Sequence, residues 1–152
     1  MAYQARRSKE VYEELELLDE NDNVVHCLKI HLDVDTMSRT LNEKYVELVK
    51  AEQDIKNLQI DMTKKEKMEQ ALERVGNAVH DLYEAVFGVE NTEIIMEFYK
   101  DRMVEMNLEI TPFIRDVVIP HVRESVKDSQ RRAEYKYTRK KMRENGIFKR
   151  VR

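Results

Sequence analysis

Tryptophan is absent from this chain of 152 residues, and cysteine, proline and glycine number only one, two and three. Each scarcity excludes something. The lone Cys27 cannot close an internal disulfide, so nothing points to an oxidising compartment. Three scattered glycines cannot build a phosphate-cradling loop, and no Gly-x-Ser-x-Gly nucleophile turn occurs. So few turn residues argue against a sandwich or barrel of many short strands, whereas 38% charged residues and eight Met are the palette of long helices. No apolar run follows Met1 as a signal peptide would require, and none approaches the roughly 20 residues of a membrane span. The chain is expected to be soluble and cytoplasmic, and its length suits one domain burying roughly two thirds of its unfolded surface.

Charge is plentiful but unevenly placed. Residues 1–122 hold 15 Lys and Arg against 26 Asp and Glu, a net of -11, while residues 123–152 hold 12 against 4, a net of +8. The near-neutral total of -3 therefore hides an acidic body carrying a basic C-terminal arm, an asymmetry typical of chains that work by binding.

Apolar periodicity divides the body. Leu15 and Leu17 alternate with Glu14 and Glu16, and beyond the run Asp19-Glu20-Asn21-Asp22-Asn23 the residues Val24, His26, Leu28, Ile30 and Leu32 alternate with Val25, Cys27, Lys29 and His31. This predicts a β-hairpin with one buried face, its turn made by residues that tolerate left-handed conformations. A lone hairpin is marginal in water, so that face must rest on a helix or join a sheet in another subunit. From Asp35 the period becomes helical. Asp33 or Asp35 is the predicted cap, and Met37, Leu41, Tyr45, Leu48, Ile55, Leu58 and Met62 form a stripe in which Leu41, Leu48, Ile55 and Met62 recur every seven residues, suiting a partner helix within the chain or in another copy.

Thr63 with Glu66 matches a capping box and predicts a break. Met68, Leu72, Val75, Val79, Leu82 and Val86 form a second helix ended by Gly88, and Asn91 or Thr92 is expected to cap a third burying Ile95, Phe98, Met103 and Met106. Thr111-Pro112 reads as a fresh start, Thr as cap and Pro at the first helical position, before Phe113, Ile114, Val117, Val118 and Val122; Pro120 should kink or end that helix. The fold expected is mainly α (α+β): an N-terminal β-hairpin (11–33), a small bundle of three to five helices (35–122) in a single domain 1–122, and a basic C-terminal arm (123–152), helical or disordered.

Candidate chemistry is sparse. Of the four histidines, His26 lies across the strand from Cys27, and His31, on the face of Cys27, is about 13 Å away along the strand, too far for one zinc ion. No Glu-x-x-His pair is present for a di-iron bundle. His80, Asp81 and Glu84 share one helical turn, where a metal or proton-transfer site competes with an ordinary polar surface. No catalytic residue, cofactor site or metal site is assigned, and a non-enzymatic protein is expected. The arm is the candidate binding element: Arg131, Arg132, Lys136, Arg139, Lys140, Lys141, Arg143, Lys149 and Arg150 meet an acidic protein surface, contact phosphates, or are simply solvated. Tyr135 and Tyr137 among them are able to stack on bases.

Three segments carry a resemblance: MAYQARRSKEVYEELELLDENDNVVHCLKIHLDVD, GNAVHDLYEAVFGVENTEIIMEFYKDRMVEMNLEITPFIRDVVIPHVRES and YKYTRKKMRENGIFKRVR. Together they resemble small proteins of tailed phages and prophages of Gram-positive bacteria, encoded between the major tail protein and the tape measure protein, the position of tail assembly chaperones. The resemblance implies a protein that coats the tape measure protein, keeps its apolar helices soluble and recruits tail tube subunits in the host cytoplasm, with a homo-oligomer as a further expectation. Two other readings stand beside it: a nucleic-acid-binding accessory or regulatory protein using the arm, and a minor structural component of the virion.

Overall fold

The computed structural model describes residues 2–58 and 65–144. Strand β1 (Val11–Leu18) pairs antiparallel with β2 (Val24–Leu32), and four helices follow: α1 (Val34–Leu58), α2 (Lys65–Phe98), α3 (Met103–Phe113) and α4 (Ile119–Glu144), with a π-helical turn (Ile114–Val118) between the last two. The fold is mainly α with an N-terminal hairpin, as the change of period from two to 3.6 indicates.

The hairpin's turn follows from its side chains. The Asp19 carboxylate accepts hydrogen bonds from the backbone N–H groups of Asn23 and Asn21, both at 2.9 Å, and these bonds, Asn23's first, hold its pKa below the usual carboxylate range. Asp22 takes the left-handed conformation (φ 63°), and the register slips between Leu17 and Leu18, a bulge that lets the odd-length turn close. Leu17, Leu28, Ile30 and Leu32 are buried, whereas Cys27, Lys29 and His31 face outward. The apolar face rests on the chain's own helices: Leu17 to Leu32 join one core with Leu48, Val79, Leu82, Ile95, Met106, Ile110 and Ile114.

Asp33, rather than Asp35, caps α1: its carboxylate accepts from the Thr36 N–H at 3.4 Å and from the Thr36 hydroxyl at 2.9 Å. Met37, Leu41, Leu48 and Ala51 are buried where α1 packs against α2 and α4 of the same chain. Met62 and the Thr63 capping box lie outside the described residues. Along α2, Val75, Val79, Leu82 and Val86 are buried, but Leu72 is exposed, with Ala71 taking the inward place.

Gly88 stops the first part of α2 with φ 81° and ψ 169°, a region essentially closed to residues bearing a Cβ, and the chain then resumes helix to Phe98. The expected cap at Thr92 is not made: its hydroxyl is buried without a hydrogen-bond partner. A helical Thr ordinarily bonds the carbonyl four residues back, but that carbonyl belongs to Gly88, whose non-helical ψ turns it away.

Three expectations for the second half need correction. Ile95 to Met106 is not one helix: Lys100 and Asp101, both left-handed (φ 52° and 57°), make a reversal between α2 and α3 without glycine or proline, and apolar spacing does not reveal it. Thr111-Pro112 does not restart the chain either, because α3 continues through Pro112 with Thr111 facing Tyr83. Nor does Pro120 end the helix. Residues 103–144 form one continuous helical rod with α-helical backbone at both junctions of the π turn.

The π turn has a physical cause. Met106, Ile110, Ile114, Val118 and Val122 are all buried and recur every four residues. On an α-helix such a stripe drifts by about 40° per step. One wide turn, bonded i to i+5, pulls it back toward the core, and it sits between Pro112 and Pro120, where the normal ladder already lacks N–H donors.

Candidate functional site

The rod runs antiparallel along α1. Asn107 donates to Glu52 at 3.1 Å near one end, and Arg123 donates to Asn42 at 3.4 Å near the other. Met37, Leu41, Ile119, Val122 and Val126 line a groove of about 260 Å³ between α1 and α4, edged by Arg123 and Lys127. Beyond Val126 the rod passes the start of α1, and every residue from Lys127 to Thr138 is exposed. At 1.5 Å per residue, the stretch from Lys127 to Glu144 projects about 27 Å.

That projection carries the predicted arm. Arg131, Arg132 and Lys136 are exposed within about 140° of one another around it, and Arg131 pairs with Asp128, at 3.5 Å on the same helix. Tyr135 and Tyr137 stand 66% and 67% exposed among them. Arg139, Lys140, Lys141 and Arg143 continue the backbone helix. Lys149 and Arg150 lie outside the described residues. A helix polar all round gains nothing from a core and depends on propensity or on a partner.

Two polar arrangements fix the rod. Glu13 sits on the inward face of β1, of one parity with Leu15 and Leu17, and its carboxylate meets His121 Nδ1 on α4 at 2.6 Å. The pair ties hairpin to rod across the core's edge. Deeper in, a hydrogen-bond chain crosses three helices: the Tyr83 hydroxyl donates to Thr111 at 3.0 Å, Thr111 donates to Asn107, and Asn107 donates to Glu52. Every group is satisfied in one direction, ending on a carboxylate, and burial pushes the Tyr83 phenol well up. Neither arrangement follows from apolar spacing. The available signals were an acidic residue in phase with the leucines of β1, and Tyr, Thr and Asn at inward helical positions.

Opposite in charge to the arm is the stretch from the middle of α2 through α3. Residues 81–109 hold eight Asp and Glu against two Lys and Arg, a net of -6, with Glu90, Glu93, Glu97, Asp101, Glu105 and Glu109 all exposed. On α3, Val104 (83%) and Leu108 (70%) stand out in water one helical turn apart, flanked by Glu105 and Glu109.

His80 and Glu84 meet at 3.3 Å as an exposed i, i+4 pair, and among the described residues no three His, Cys, Asp or Glu are grouped to hold a metal ion. Cys27 is exposed on β2. Among the described residues no helix is long and apolar enough to cross a membrane. Comparison with protein-family models, curated proteins and solved structures finds no match.

Proposed function

We propose that the chain is a non-enzymatic assembly chaperone of phage tails, one that binds the tape measure protein and helps recruit tail tube subunits. The observation that carries this reading is the rod. A core-anchored helix presents Arg131, Arg132 and Lys136 free of the body, while the body keeps exposed apolar positions such as Leu72, Val104 and Leu108 on helical faces. Helical faces of this kind suit gripping another apolar helix, and the charged projection suits an acidic partner surface, with no chemical step required. The segments resembling tail assembly chaperones supply the partner's identity.

The test is co-expression with the candidate tape measure protein, followed by size exclusion with light scattering at low and high salt. A soluble complex persisting at high salt supports the reading, because apolar contacts survive screening. Failure to keep the tape measure protein soluble refutes it. The exposed Tyr135 and Tyr137 favour a second reading, nucleic-acid binding by the arm; its signature is affinity falling linearly with the logarithm of salt concentration.

A further inference from the structure

We infer that the basic projection of α4 docks on the acidic α2–α3 surface of a second copy of this chain. The inference stands whether or not the tape measure protein is the partner. Three observations lead to it.

The first is charge. Residues 127–144 hold eight Lys and Arg against three Asp and Glu, a net of +5, and residues 81–109 carry -6. The second is surface. The receiving end adds exposed Val104 and Leu108 to its carboxylates, and the projection interleaves exposed Tyr135 and Tyr137 with its cations, so both sides offer apolar contact inside a charged frame. Such a frame sets orientation and rate while the apolar centre holds the complex.

The third is geometry, which decides between the chain's own face and another's. Leu108 and Lys136 belong to one uninterrupted helical rod, and the 28 residues separating them span about 40 Å. A rod cannot turn back on its own flank, so the projection reaches this face only on another molecule. Each copy offers one projection and one face, at different places on the surface. The same contact either repeats head to tail along a row of copies or is exchanged reciprocally within a two-fold pair, and the mass reached at high concentration distinguishes the two.

Sedimentation velocity of the full-length, nuclease-treated chain over a range of concentrations tests this. The expected result is a mass that grows with concentration at low salt and falls as salt rises. Reversing the projection (Arg131→Glu, Arg132→Glu, Lys136→Glu) or the face (Glu105→Lys, Glu109→Lys) should weaken association by about tenfold or more, as several charged contacts are turned repulsive at once. Mixing the two reversed proteins should restore it, because each then meets a complementary surface on the other. All five positions are exposed, so the variants should keep the wild-type melting temperature, and Leu108→Ser should weaken association without altering the fold. A chain that stays monomeric at low salt and high concentration, association that ignores both reversals, or reversed proteins that fail to rescue each other would overturn the inference. Association lost on nuclease treatment would overturn it as well and assign the projection to nucleic acid.

Discussion

Residues 103–126 and 127–144 belong to one helical rod, yet they are held in the helix for different reasons. The first part buries Met106, Ile110, Ile114, Val118 and Val122 in the common core and is pinned by Asn107 to Glu52 and by His121 to Glu13. It keeps its helix through two prolines, at the cost of a π turn. The second part contains no proline or glycine and consists of good helix formers, but from Lys127 to Thr138 it touches no core. Packing holds a poor helical sequence in place, and propensity alone sustains a good one. Helix is therefore no measure of stability: one half of the rod belongs to the fold, the other is presented by it.

The sharpest way to break this contrast is to remove core volume from the first part. Ile114→Ala, at a fully buried position, should cost about 2–5 kcal/mol in urea unfolding. Deleting residues 127–152 should change the same stability by less than about 0.5 kcal/mol, as exposed segments do, while abolishing self-association. A truncation that unfolds the body would show that the projection is part of the core and remove the distinction.

Ala133→Gly sharpens the comparison at intermediate size. It should lower local helicity by about 1 kcal/mol, read as faster amide exchange confined to the projection, with the global unfolding midpoint unmoved. Amides of residues 103–118 should exchange only through near-global unfolding. Tyr83→Phe, within the hydrogen-bond chain that fixes the rod to α1 and α2, should cost about 1 kcal/mol and leave the projection's exchange unaltered.

The smallest effect belongs to the hairpin turn. The Asp19 carboxyl has its folded pKa lowered by the Asn21 and Asn23 amides, so its contribution is present above the unfolded pKa and lost as pH falls through the folded one. Wild type should lose on acidification a small stabilisation that Asp19→Ala lacks, and the two stability curves should converge at low pH. Curves that stay parallel through the acid limb would show that the turn does not depend on this carboxylate.

How much of this was legible beforehand differs by element. Leu28 to Leu32 and Met37 to Leu48 announced their inward faces because strand and helix periods are imposed by the backbone itself, whereas Val24, expected on the same face, is exposed beside the bulge. Gly88 announced a stop for the same local reason. Lys100 and Asp101 gave no reversal signal by apolar spacing: Asp tolerates the left-handed conformation, but neither glycine nor proline stands beside it to mark a turn. Pro112 and Pro120 misled, because a proline's penalty is local and a buried stripe on both sides outweighs it. Of the candidate site, the cations and their segregation were visible, but not where they would be held.

The sequence by itself determined the β-to-α order, the helix faces and the division of charge, since these depend on side-chain type and on spacing along a backbone of known period. Only the tertiary structure decided that the basic segment extends a core-anchored rod past the start of α1, about 40 Å along the helix from the chain's own acidic face. The reason is physical: direction and reach are properties of packed, rigid elements, and no local preference encodes them.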